Sequence, residues 1–222
     1  MPDAIGFDVY GTLVDPLQMN ARLEPLAGEL SGRLAALWRE KQLEYTFRRG
    51  LMREYEDFDA CTRQALVFAA GALGMKLSEQ ERERLIEEYR SLSLFPDVIP
   101  GIKALKERRS LTLVAFSNGV ESTVRALLAR AGILPHLQDV ISVDDLKTFK
   151  PDPDVYRYLT RRLGTEPSET WLVSSNPFDV IGAKAVGLKT AWVRRNPDTQ
   201  FDPWGIEPDL VVTDLESLAA KL

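Results

Sequence analysis

Hydrophobic and polar residues follow two rhythms along this chain, and the rhythm changes twice. Ala4-Ile5-Gly6-Phe7-Asp8-Val9-Tyr10 is a short apolar run broken only by Asp8 and closed by Gly11-Thr12. Such a run predicts a buried strand ending in a turn. Residues 19–92 then carry apolar positions at helical spacing, punctuated by Gly28, Gly32, Gly50, Gly71 and Gly74, and no segment among them reads as a strand. After Phe95, Pro96 and Pro100-Gly101 interrupt the chain, and strand and helix patterns alternate to the end. Strands are expected over residues 111–116, 140–143, 170–173, 190–193 and 210–212. Helices are expected over 121–131, 153–163, 178–186 and 215–222. Strands alternating with helices of this length imply an α/β fold with a parallel sheet covered on both faces. The lone N-terminal strand makes the economical topology a core split by a helical insertion after its first strand.

Composition narrows the chemistry. The 222 residues are 45% hydrophobic and 27% charged, which is ordinary globular usage. A net charge of −5 leaves no basic surplus for nucleic acid or an anionic membrane surface, so neither is an expected partner. Cys61 is the only cysteine, which excludes an intrachain disulfide and a cysteine zinc cluster. His136 is the only histidine, so metal sites of two or three histidines are excluded, and a histidine triad would have to use this residue. The longest nearly apolar run, 65–75, is too short to span a bilayer. Met1-Pro2-Asp3 carries no basic region of the secretory kind. The expectation is a soluble, cytoplasmic protein whose chemistry rests on carboxylates, lysine, arginine and hydroxyls.

Ligands of open α/β sheets bind outside the carboxyl ends of the strands, so the residues at each predicted strand end are candidates. The first strand delivers Asp8, then Tyr10, Gly11 and Thr12; the second runs into Ser117-Asn118-Gly119. The third is followed by Lys150-Pro151, and the fourth by Ser174-Ser175-Asn176-Pro177-Phe178-Asp179. Asp8 within an apolar strand is the hardest to explain structurally, because an unpaired buried carboxylate is costly. The others have ordinary alternatives. Ser117 and Asn118 could cap the next helix. Lys150 could be a solvated loop lysine. Asn176, Pro177 and Asp179 fit the N-cap, first and third positions of a helix start. Within the insertion, Arg39 shares a stripe with Ala36, Leu43 and Phe47, where it either snorkels to water or meets an anion at a domain interface. The stripe alone favours snorkelling, and Tyr55 and Phe58 read as core aromatics.

Phe7-Asp8-Val9-Tyr10-Gly11-Thr12-Leu13, Ser117-Asn118-Gly119, Lys150-Pro151-Asp152-Pro153 and Ser174-Ser175-Asn176-Pro177-Phe178-Asp179 resemble the four ordered motifs of the haloacid dehalogenase superfamily. The helical insertion resembles that superfamily's cap domain. Leu37-Trp38-Arg39-Glu40-Lys41-Gln42-Leu43-Glu44-Tyr45-Thr46 and Tyr55-Glu56-Asp57-Phe58 resemble the cap signatures of the (S)-2-haloacid dehalogenases. The resemblance implies a Rossmann-like parallel sheet core over 1–15 plus 95–222, with an inserted helical cap domain over 16–94. It also implies hydrolytic dehalogenation of short-chain (S)-2-haloacids to (R)-2-hydroxy acids through a covalent aspartyl ester. No metal and no cofactor are expected. The partners implied are a small 2-haloalkanoic acid and halide, with a homodimer as the assembly, to which the apolar segment 65–73 would contribute.

The same resemblance assigns roles. Asp8 is the nucleophile, held ionised by Lys150 and the hydroxyls of Thr12 and Ser174. Ser117, Asn118 and the backbone N–H groups near Val9 and Tyr10 receive the substrate carboxylate. Arg39 takes the departing halide, which replaces the snorkelling reading, and Phe58 and Phe178 wall the substrate. Asp179 orients or activates the hydrolytic water and Asn176 fixes it, while Tyr156 plays a supporting role. Two departures stand out: Glu40 where relatives commonly carry glutamine, and Pro177-Phe178 where an Ala-Trp pair is common. A phosphatase-type hydrolase of the same superfamily is the alternative, disfavoured because Tyr10 replaces the acidic residue two positions after the nucleophile and because Asp179 is the only carboxylate of the last motif. A non-catalytic small-anion binder is a further alternative.

Overall fold

The computed structural model describes residues 4–107 and 111–222. The chain begins with β1 (Ala4–Phe7), all four residues of which are buried. Four helices follow: α1 (Met19–Ala27), α2 (Ser31–Met52), α3 (Phe58–Ala72) and α4 (Glu79–Tyr89). The remainder alternates as α5 (Val98–Lys106), β2 (Thr112–Ser117), α6 (Glu121–Arg130), β3 (Asp139–Ser142), α7 (Pro153–Leu163), β4 (Thr170–Ser174), α8 (Pro177–Ala185), β5 (Lys189–Val193), β6 (Leu210–Val212) and α9 (Leu215–Lys221). The strands form one parallel sheet in the order β3-β2-β1-β4-β5-β6. From β1 the chain builds outward to β2 and β3 on one side, then crosses to β4, β5 and β6 on the other. The reversal lies between β1 and β4, and the crevice outside their carboxyl ends is where such sheets take ligands.

Alternation within the strands feeds both faces. Leu113 and Ala115 join one buried cluster with Ile102, Leu105 and Leu215, whereas Val114 and Phe116 join another with Val155, Leu159 and Ala183. Helices therefore cover both sides, and each fully buried Leu, Ile or Phe contributes about 1.5–3 kcal/mol. The first apolar run is strand only as far as Phe7. Asp8 N–H still donates to Val173 O at 2.9 Å, but Val9 O then accepts from the N–H groups of Thr12, Leu13 and Val14. Those bonds turn the chain, so Asp8 stands at the strand end and Val9-Tyr10 belong to the turn.

Helix α5 departs from the sequence reading, which takes Pro100 and Gly101 as breakers. Pro100 falls in the first turn of α5, where a proline removes no hydrogen bond. A Cβ on Gly101 would lie 2.5 Å from Leu215 Cβ and 2.6 Å from Leu215 C, so glycine here permits α5 and α9 to pack in contact. The helical segment is tied to the sheet where it leaves and returns. Val14 pairs antiparallel with Leu94, Phe95 N–H donates to Leu13 O at 3.0 Å, and Asp15 N–H donates to Ser93 O at 3.3 Å. Side-chain caps start two of its helices: Asp57 accepts from Ala60 N–H at 2.7 Å for α3, and Ser78 with Glu81 forms a capping box for α4. In the segment 65–73, Ala65, Leu66, Ala69 and Ala70 are buried, while Val67 and Phe68 face outward. No helix among the described residues is long and apolar enough to cross a membrane.

Candidate active site

Asp8 is 7% exposed and carries three side-chain hydrogen bonds. Its Oδ2 accepts from Thr12 Oγ1 at 2.8 Å and from Asn176 Nδ2 at 2.8 Å; its Oδ1 accepts from Lys150 Nζ at 3.2 Å. Thr12 is in turn fixed by Ser175 N–H, which donates to Thr12 Oγ1 at 2.8 Å. Lys150, 1% exposed, also donates to Asp179 Oδ2 and to Phe116 O, each at 2.9 Å. An ammonium has three donors, and here all three are used.

Asp179 is fully buried, and its Oδ1 accepts from the Tyr156 hydroxyl at 2.9 Å. Two carboxylates thus share one buried cation. Burial alone would push the Lys150 ammonium down, but the charges of Asp179 and Asp8 outweigh it and hold its pKa above the ordinary value. Burial raises the Asp179 carboxyl; Lys150 opposes this and the charge of Asp8 adds to it. Burial, followed by the charge of Asp179, lifts the Tyr156 phenol well above its usual range.

The capping alternatives fail on geometry. The side chain of Asn176, N-cap of α8, makes no cap hydrogen bond and reaches Asp8 instead. Asp179 points to Lys150 and Tyr156 rather than back along α8. The N-cap of α6 is Val120, so Ser117 and Asn118 are not caps. Ser117 Oγ accepts from Gly119 N–H at 3.0 Å and Asn118 Oδ1 accepts from Lys150 N–H at 3.0 Å. Ser174 departs from its expected place: its hydroxyl accepts from Asn176 N–H at 3.1 Å and not from or toward Asp8. The adjacent Ser175 supports Asp8 through Thr12, because the chain leaves β4 at Ser174 and the alternation of side chains ends there.

From α2, Arg39 Nη2 donates to Tyr10 O at 2.9 Å, and Asn176 Nδ2 lies 3.3 Å from the same oxygen. The apolar stripe expected around Arg39 is not the buried face of α2. Ala36 is exposed, and the buried positions are Ser31, Leu34, Ala35, Trp38, Gln42 and Thr46. Glu40 is exposed; the residue that meets Arg39 is Gln42, whose Oε1 accepts from Arg39 Nη1 at 2.7 Å. Gln42 enters the sequence reading only as a letter of the cap signature, with no role of its own, and Thr62 and Tyr89 do not enter it, since such positions inside a helix carry no strand-end signal. Tyr10 packs on Phe58 and Tyr89, with ring centroids 5.1 and 5.8 Å apart, and burial raises its phenol far above the ordinary value. Phe178 meets Phe47 of α2 edge to face at 5.0 Å. His136 lies in a short 3-10 turn, Leu134–His136, just before the N-terminal end of β3 and so away from the carboxyl ends of the strands. Among the described residues, no group of three His, Cys, Asp or Glu side chains is arranged to hold a metal ion.

The family model for haloacid dehalogenase-like hydrolases matches residues 2–187 of this chain. The chain belongs to that family. It is 36% identical over 214 residues to an (S)-2-haloacid dehalogenase of Pseudomonas sp. (strain YL), covering 96% of this chain and 91% of the relative. It is 39% identical over 198 residues to an (S)-2-haloacid dehalogenase of Xanthobacter autotrophicus, covering 88% of this chain and 76% of that one. The solved L-2-haloacid dehalogenase of Xanthobacter autotrophicus with chloropropionic acid covalently bound superposes with a TM-score of 0.92 at 33% identity, over 99% of this chain and 98% of that chain. An α/β core carrying four motif segments on one sheet edge, with helices inserted after β1, is the arrangement the family membership accounts for.

Proposed function

We propose that this chain hydrolyses the carbon–halogen bond of short (S)-2-haloalkanoic acids, giving (R)-2-hydroxy acids and halide without a metal ion or cofactor. The observation that carries the reading is Asp8, whose Oδ2 is pinned by Thr12 and Asn176 while, among the described residues, Oδ1 accepts from Lys150 alone. Oδ1 retains a lone pair for attack on the α-carbon opposite the halogen, and Lys150 Nζ, 3.2 Å away, orients it. The new Oδ1–carbon bond forms as the carbon–halogen bond breaks, and the halogen leaves with the bonding pair. Water then adds to Asp8 Cγ, expelling the hydroxy acid with inverted configuration and returning the carboxylate. Ser117, Asn118 and the turn at Val9 and Tyr10 receive the substrate carboxylate; Phe58 and Phe178 form apolar walls. In that turn Gly11 N–H donates to Val14 O and the N–H groups of Thr12, Leu13 and Val14 donate to Val9 O, so its bonds do not draw on the Val9 and Tyr10 N–H groups.

Arg39 receives the halide as the cap half of the site, with residues 16–94 as the cap and 1–15 plus 95–222 as the core. Asp179, itself held by the Tyr156 hydroxyl, holds Lys150 and steers the hydrolytic water. Two features favour this reading over a phosphatase of the same family. An alkoxide leaving group needs a proton donor with a pKa near the working pH, and the residue two after Asp8 is a phenol that burial moves far from it. Halide needs no proton. A divalent cation would also need the oxygens of Asp8 and Asp179 that Lys150 already occupies. Halide release from (S)-2-chloropropionate in excess chelator tests the proposal: turnover is expected to persist, and turnover that requires added Mg²⁺ would overturn it.

A further inference from the structure

Arg39 is held by polar groups that the chemistry above does not use. Gln42 is 0% exposed, and a buried amide must find partners for its oxygen and its NH2. Its Oε1 accepts from Arg39 Nη1 at 2.7 Å and from the Tyr89 hydroxyl at 3.0 Å; its Nε2 donates to Thr62 Oγ1 at 2.5 Å. The Thr62 hydroxyl donates its one proton to Phe58 O at 2.7 Å, so toward Gln42 it can only accept. That fixes the amide the one way round: NH2 toward Thr62, oxygen toward Arg39. Tyr89 is itself fixed by its ring contact with Trp38 at 5.2 Å.

The groups that Arg39 meets are neutral: the Gln42 amide oxygen, Tyr10 O and the neighbouring Tyr89 hydroxyl. None of the ion pairs among the described residues involves Arg39. A guanidinium has five N–H donors, so two neutral bonds orient the fork and leave both its charge and further donors for an anion. A carboxylate in the place of Gln42 would hold the fork equally well and cancel the charge.

We propose that Gln42 is a positioning residue for halide release: it aims Arg39 at the Asp8 turn through a neutral acceptor, and Thr62 and Tyr89 lock the amide that does so. The inference rests on the reading of Arg39 as the halide receiver. Its test compares Gln42→Glu and Tyr89→Phe with the unaltered protein, using inhibition by sodium chloride and turnover of (S)-2-chloro- and (S)-2-bromopropionate. In Gln42→Glu the chloride inhibition constant should rise about tenfold or more, since a charge-assisted contact is lost. The chloro substrate should lose more turnover than the bromo substrate, because the poorer leaving group depends more on Arg39. Chloride inhibition in this variant should strengthen as the pH falls and the introduced carboxyl takes up a proton.

Tyr89→Phe keeps the ring packing and removes one hydrogen bond to the Gln42 oxygen, so chloride should bind about threefold more weakly at an unchanged melting temperature. Chloride inhibition that stays within about twofold of the unaltered protein in both variants, with halide release retained, overturns this proposal alone. Absence of halide release from the unaltered protein overturns the reading under Proposed function, and this inference with it.

Discussion

Replacing Gly182 by alanine adds one methyl group, at a point where α8 presses on the most buried part of the site. A Cβ there would lie 2.6 Å from the Tyr156 hydroxyl oxygen, 2.7 Å from Tyr156 Cε2 and 2.9 Å from Pro151 Cβ. Tyr156 is fully buried, and its hydroxyl donates to Asp179 Oδ1 at 2.9 Å. Ordinary contact begins at 3.4 Å, so the phenol must retreat by the 0.8 Å between 2.6 and 3.4 Å, enough to break that bond. Overpacking costs about 1–3 kcal/mol and losing a hydrogen bond to a charged group about 1.5–3 kcal/mol. The better helix propensity of alanine returns about 1 kcal/mol. The expected net loss is about 1.5–5 kcal/mol.

Gly71 in α3 is the control, because it is helical and exposed with nothing within 4 Å of its Cβ position. Gly71→Ala should be neutral or stabilising by up to about 1 kcal/mol. Urea denaturation followed by circular dichroism compares both variants with the parent protein. A Gly182→Ala protein as stable as its parent, beside a well-behaved Gly71→Ala, would refute the wedge between Tyr156 and α8.

Lys150→Met should remove halide release and destabilise the fold by about 3–5 kcal/mol, because Asp8 and Asp179 lose the cation they share; unchanged stability in urea would contradict the shared-cation geometry. The native pKa of Lys150 is raised, so its stabilisation is complete below the unfolded value of about 10.4 and is lost as pH rises through the native one. Stability measured against alkaline pH should therefore fall less steeply in Lys150→Met than in the parent. Asp179 is also raised, chiefly by burial, so the folded state holds that proton to higher pH and its contribution to stability falls as pH rises from about 3.9 through the native value. Carbon-13 NMR of the Asp179 carboxyl should show a midpoint above the usual aspartate range, and a midpoint at or below it would contradict the burial argument. Burial moves the thiol of Cys61 up to about 11, so iodoacetamide should leave the native protein unlabelled near neutral pH and label it in urea; rapid native labelling would contradict that environment.

Much of the core was readable because parallel strands buried on both faces are near-continuous apolar runs, and their ends could be inspected for polar groups. Asp8, Ser117, Asn118, Lys150, Asn176 and Asp179 all emerge that way. What stayed ambiguous was role, since Asn176-Pro177-Phe178-Asp179 satisfies a helix start as well as a site, and only the direction of two side chains decides. Helix α5 was hidden by Pro100 and Gly101, two breakers that a first turn and a close helix contact accommodate. Ser174 and Ser175 exchanged places because a strand ends between them. The joint role of Gln42, Thr62 and Tyr89 is illegible in the sequence for a different reason. Each is an unremarkable polar or aromatic position on its own helix, and their meaning lies in three helices bringing them together around Arg39.

In the proposed reaction Asp8 is joined to substrate for part of each cycle. A single turnover of (S)-2-chloropropionate in oxygen-18 water, with protein in excess, followed by mass spectrometry of the peptide that contains Asp8 and of the hydroxy acid, reads it directly. The heavy oxygen should enter the Asp8 carboxylate, with the lactate carrying oxygen from the protein. Label found in the lactate hydroxyl, with Asp8 unlabelled, would contradict the account.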